Sequence, residues 1–93
     1  MIDNILKSDF CVFANPYMFI FRVDGVEKCF SIRYLVRWAK RNSRKADRER
    51  LAKEQAMTLM NCYTGKAKKR TIAKATEDLT GYCYALLENP YNK

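Results

Sequence analysis

Two runs of β-forming residues, one ending at Val23 and the other starting at Val26, meet at the dipeptide Asp24-Gly25. Asp-Gly suits a two-residue type I′ turn, whose central residues need positive φ and whose twist matches that of the flanking strands. A turn of that length leaves one register. Val23 faces Val26, Arg22 faces Glu27, Phe21 faces Lys28, Ile20 faces Cys29 and Phe19 faces Phe30. The register makes Arg22 and Glu27 a cross-strand ion pair and Phe19 and Phe30 an aromatic pair, each stabilising by about 0.2–1 kcal/mol. A β-hairpin is therefore predicted over residues 17–30. Its aromatic rings are assigned to a core rather than to a base-stacking platform, because a small domain needs them inside.

Upstream, residues 10–14 read as a first strand, stopped at Asn15-Pro16 because proline cannot donate to a sheet ladder. Residues 1–10 read as a lead-in holding a short helical turn with Asp3 as its N-cap. Downstream, Ser31 can cap a helix over residues 32–41. Ile32, Leu35, Val36 and Ala39 make its apolar face, and Arg33, Arg37, Lys40 and Arg41 fall on the other side. Tyr34 and Trp38 lie on a flank, where a ring can lap the core or stack on a base.

A second helical pattern covers residues 44–63, with Ala52, Ala56, Leu59, Met60 and Tyr63 as its stripe and Leu51 at the margin. In one straight helix the two apolar faces would be turned by roughly 150° from each other, so they could not share a core. A break is predicted at Asn42-Ser43, with Ser43 capping the second helix; the alternative is one long helix whose two faces serve different partners. The break would put Lys40 and Arg41 at a helix C-terminus, which suits cations. Arg44 and Lys45 would sit at an N-terminus, which does not, and Asp47 and Glu49 only partly offset them. Cations kept at an unfavourable helix end point to binding.

A loop carries Lys66, Lys68, Lys69 and Arg70; it lacks the upstream glycine and following Ser or Thr of a P-loop. The last helix is predicted over residues 70–88. Ile72, Ala75, Leu79, Tyr82, Cys83 and Leu86 share one face; Lys74, Glu77, Asp78, Gly81, Tyr84 and Glu88 lie opposite. Asn89-Pro90 ends it, and residues 91–93 read as a tail. The elements predict an α+β fold: an N-terminal antiparallel hairpin, three-stranded if residues 10–14 join it, packed against about three helices.

Ninety-three residues suit a single domain, and 48% hydrophobic content exceeds that of a disordered basic tail. No apolar run approaches the roughly 20 residues of a membrane helix, and the acidic N-terminus is unlike a secretory signal, so a cytoplasmic location is expected. Cys11, Cys29, Cys62 and Cys83 form no C-x-x-C pair and the chain has no histidine. They read as inert core thiols, with no metal, disulfide or cofactor expected.

Charge is distributed unevenly. Residues 33–74 hold fourteen of the eighteen Lys and Arg against three of the ten Asp and Glu. A surplus confined to the middle of a chain makes a local field that concentrates polyanions. Without histidine, His-based acid–base catalysis is excluded, and the scattered carboxylates suit surface ion pairs, so the expectation is a binding protein rather than an enzyme. The expected partner is nucleic acid, held by Arg33, Arg37, Lys40, Arg41, Arg44, Lys45, Arg48 and Arg50, with Lys66, Lys68, Lys69 and Arg70 as a second contact. RNA or single strands are favoured over specific duplex DNA, because Asn and Gln are scarce in the block while Tyr34 and Trp38 flank it. The alternative is an inhibitor whose basic patch docks on an acidic protein or in the nucleic-acid groove of a nuclease, since such a patch fits carboxylates as well as phosphates. Membrane attachment is disfavoured, because the basic segments lack a bulky apolar opposite face. A merely solvated basic face is the plainest alternative.

In size, in its hairpin-plus-helices pattern and in the basic block over residues 33–50, the chain resembles the small basic accessory proteins of tailed bacteriophages, among them RNA-binding antagonists of host toxin ribonucleases. The resemblance implies an antitoxin-like, counter-defence setting in an infected cell and assigns no residue a role.

Overall fold

Asp24 and Gly25 both have positive φ, 54° and 82°, as a type I′ turn requires. The turn joins strands β2 (Met18–Val23) and β3 (Val26–Ser31), and the five pairs from Val23–Val26 to Phe19–Phe30 are those predicted, with Met18–Ser31 added. Arg22 Nε donates to Glu27 Oε2 at 2.7 Å, and the rings of Phe19 and Phe30 lie 5.4 Å apart. Strand β1 (Cys11–Ala14) pairs with β2 on the other side through an irregularity between Cys11 and Phe13, giving an antiparallel sheet in the order β1-β2-β3. The computed structural model describes residues 2–44 and 46–90, for Ile2 the backbone alone; Lys45 and the predicted tail at residues 91–93 lie outside the described residues.

The fold is α+β. Helices α1 (Ile2–Leu6), α2 (Ile32–Asn42), α3 (Arg48–Met60) and α4 (Lys69–Glu88) accompany the sheet, and a single 3-10 turn, Asn61–Tyr63, follows α3. Period-two alternation along β2 sends Phe19, Phe21 and Val23 into the core, all fully buried, and Arg22 to solvent. Helix α4 meets them with Ala75, Leu79, Tyr82, Cys83, Leu86 and Leu87, and α3 lies along α4 with Ala52, Ala56 and Met60 inside. Burying each large apolar side chain stabilises by about 1.5–3 kcal/mol, so this cluster is the main source of stability.

Three long-range hydrogen bonds fix the pieces. The Tyr63 hydroxyl donates to the Phe21 carbonyl at 2.6 Å, tying the end of α3 to the sheet. The Lys68 amide donates to Asp24 Oδ2 at 2.9 Å, so the hairpin turn holds the start of α4. Ser8 Oγ donates to Asp78 Oδ2 at 2.7 Å, anchoring the N-terminal segment on α4. The segment read as a lead-in therefore belongs to the fold, and its Ile5 is fully buried. Asp3 does not cap α1 but lies inside its first turn.

The break between α2 and α3 is present, but Ser43 does not begin α3. Its hydroxyl donates back to the Lys40 carbonyl at 3.2 Å, and Asn42 Nδ2 donates to the Trp38 carbonyl at 2.7 Å, so both side chains finish α2. Helix α3 starts instead at Arg48, after Asp47 in the left-handed region at φ 70°. The predicted span of residues 44–63 is shortened at both ends. Arg44 precedes the helix rather than occupying its first turn, which removes the macrodipole argument made for it. The last helix starts one residue earlier than predicted, so Lys69 is helical rather than in the loop.

Candidate nucleic-acid interface

Helix α2 begins because Ser31 accepts a hydrogen bond from the Tyr34 amide at 3.1 Å, closing its first turn. Ile32, Leu35, Val36, Trp38 and Ala39 are buried, which turns Arg33, Tyr34, Arg37, Lys40 and Arg41 outward. The helix contains no Asp or Glu. Arg33, Arg37 and Arg41 recur every four residues, steps of about 6 Å along the axis, comparable to the step between successive phosphates of a strand. Among the described residues no ion pair engages Arg33, Arg37, Arg41 or Arg44. Lys40 and Arg41 lie in the last turn, where the helix dipole favours cations.

Other predicted contacts are engaged within the chain. Arg50 donates to Asp47 Oδ2 and Glu54 Oε2, each at 2.7 Å, and the Asp47 bond first, then Glu54, raises its pKa further. Arg48 Nη2 reaches the Ser43 carbonyl at 3.3 Å, helping to shape the linker. Trp38 is 9% exposed and belongs to the core, whereas Tyr34 is 52% exposed. Of the two aromatics on the flank, only Tyr34 offers a face to a base.

Lys66, Lys68, Lys69 and Arg70 form a second exposed group at the start of α4, whose first turn has no acidic residue. Lys28 belongs to it as well. It and Lys66 both act on the Cys62 thiol, lowering a pKa that burial raises by more. The signal for Lys28 was its place opposite inward-facing Phe21, on the core side of an edge strand. Arg44 and Arg48 do not share a surface with the Lys68 group. Tyr84 lines a shallow recess with Arg44 and Arg48, and Lys68 marks the start of the same helix. From Lys68 to Tyr84 the helix runs about 24 Å, well beyond the roughly 8 Å over which charges feel each other in physiological salt.

Sequence reasoning missed Tyr17, which is 65% exposed. Asn15 Oδ1 accepts from the amides of Tyr17 and Met18 at 2.8 and 3.0 Å, a turn that presents Tyr17 at the end of the sheet. Asn15-Pro16 was the signal.

The four cysteines are free. Cys83 fits the inert-core reading, with burial pushing its thiol up to about 12. Cys11 and Cys62 are half-buried and Cys29 is exposed, because its strand position faces away from the core. Among the described residues no three His, Cys, Asp or Glu side chains lie together as a metal ion would require, and no helix is long and apolar enough to cross a membrane. Comparison with protein-family profiles, curated proteins and solved structures found no match to this chain.

Proposed function

We propose that the protein is a non-catalytic nucleic-acid-binding protein, with RNA as its favoured ligand and the outward face of α2 and the linker after it as its principal contact. The observation that carries this reading is that Arg33, Arg37, Arg41 and Arg44 are exposed with no carboxylate partner among the described residues, while Arg22 and Arg50 are paired. A solvated face built only for solubility would mix both signs. On this reading the protein works in the cytoplasm, where its thiols stay reduced, in the counter-defence setting that its resemblance to phage accessory proteins implies.

A labelled RNA titrated at increasing salt tests it. Four phosphate contacts give log K a slope of about −2.8 against log salt for a single strand. Changing Arg37, Arg41 and Arg44 to Glu flattens that slope and weakens all sequences alike, since phosphate contacts position without specifying. Absence of RNA binding at about 50 mM salt, where electrostatic association is strong, would overturn the proposal.

A second reading, an inhibitor docked on an acidic protein, is favoured by the exposed Val12 and Phe13 of β1, 42% and 50% open, which phosphates do not need. Such a target stays bound after nuclease treatment.

A further inference from the structure

The two most exposed tyrosines of the described chain belong to different elements, yet meet at one junction. Tyr17 ends the β1–β2 turn, and its carbonyl accepts the amide of Ile32, the first residue of α2, at 2.9 Å. Tyr34 lies in the first turn of α2, its amide bound to Ser31, which pairs with Met18 beside Tyr17. Both backbones are therefore within about one helical turn of the same point. The two rings are 65% and 52% exposed, whereas Tyr63 and Tyr82 of the same chain are 0% and 1% exposed. Among the described residues neither exposed ring has a ring neighbour or a side-chain hydrogen bond. Tyr34 also lies one turn from Arg37 and two turns from Arg41 along α2, so the cationic row starts where the tyrosines are.

We infer that Tyr17 and Tyr34 form a stacking site for unpaired bases of a single-stranded nucleic acid whose backbone then follows Arg37, Arg41 and Arg44. The inference rests on the proposed function and narrows it from nucleic acid in general to single strands. Its physical basis is a division of labour. Phosphates need only positive charge, which α2 supplies, but a duplex keeps its base faces stacked internally and has no use for exposed rings at the end of a cationic row. A single strand offers a π-face at every base, and stacking on a tyrosine tolerates any sequence. The two backbones are held by a turn and by a capped helix end, so little main-chain ordering is needed on binding.

The test measures binding of a ten-nucleotide oligouridylate, the matching oligothymidylate and a ten-base-pair RNA duplex. Replacing both Tyr17 and Tyr34 by Ala is expected to weaken both single strands by about 5- to 150-fold per ring, with the salt slope unchanged. Duplex binding stays as in the wild type. Changing both to Phe retains single-strand affinity, because the ring rather than the hydroxyl stacks. Since both side chains are exposed, the unfolding temperature is expected to stay put. On the unaltered protein, ultraviolet cross-linking to oligouridylate is expected to place adducts on Tyr17 and Tyr34. Wild-type affinity of the alanine variant for oligouridylate, or equal weakening of single strand and duplex, would overturn the stacking site while leaving the electrostatic reading in place. Failure of the wild type to bind any of the three at about 50 mM salt would overturn both.

Discussion

Tyr63 and Tyr82 are buried phenols in one core, and their hydroxyls differ in a way that mutation can read. Tyr63 donates to the Phe21 carbonyl at 2.6 Å, while Tyr82 Oη is buried without a partner among the described residues. Tyr63→Phe is expected to lower stability by about 1–3 kcal/mol, because it leaves a buried acceptor short of a bond. Tyr82→Phe is expected to be neutral or stabilising, because it removes a hydroxyl that gains nothing. Urea unfolding of the two variants checks both. The cysteines give a second residue-scale test: iodoacetamide is expected to label exposed Cys29 first, Cys11 and Cys62 more slowly, and Cys83 only on unfolding, as read by mass spectrometry. Burial raises the Cys83 thiol from 9.0 to about 12 and raises the phenols of Tyr63 and Tyr82 as well. These groups keep in the fold protons that the unfolded chain releases. Their contribution is full below pH 9.0 and declines as pH rises toward about 12. Thermal unfolding across that alkaline window should show the decline.

Among elements, the hairpin turn has a role beyond joining two strands. Asp24 adopts positive φ, which Asp tolerates better than most residues, and its carboxylate also holds the Lys68 amide at the start of α4. Asp24→Ala loses both features and is expected to cost about 1–2 kcal/mol, with faster hydrogen exchange at the Lys68 amide. Asp24→Asn keeps the backbone preference and an acceptor, and should recover most of the loss. Helix α2 contrasts with this. Among the described residues Arg33 and Arg37 make no ion pair, so reversing either should leave stability within about 0.5 kcal/mol of wild type while lowering RNA affinity.

At the scale of the whole molecule, the exposed basic residues fall into one group on α2 with Arg44 and another around the start of α4. Groups separated by about 24 Å act independently in physiological salt. Reversing Lys66, Lys69 and Arg70 is therefore expected to reduce the salt slope by its own share, additively with reversal of Arg37, Arg41 and Arg44. A strand too short to span the distance should lose little from the α4 group, whereas a long strand should lose affinity from either. Salt titrations with short and long RNA separate these outcomes.

Local chemistry determined a good part of this molecule. Asp24-Gly25 settles the hairpin and its pairs because a two-residue turn admits one register, and the shift in apolar face around Asn42-Ser43 forces a break because one straight helix cannot bury two faces. The cationic face of α2 follows from the four-residue recurrence of its arginines. Tertiary structure decided the rest. Asn42 and Ser43 bond back into α2, and α3 starts only after the left-handed Asp47. Whether Trp38 or Tyr34 faces solvent depends on how α2 lies against α4. The placing of Tyr17 beside the start of α2 and the grouping of Lys28 with Lys66 arise from contacts between residues far apart in the chain. Periodicity ranks side chains only within their own element, so it could not place residues brought together from different ones.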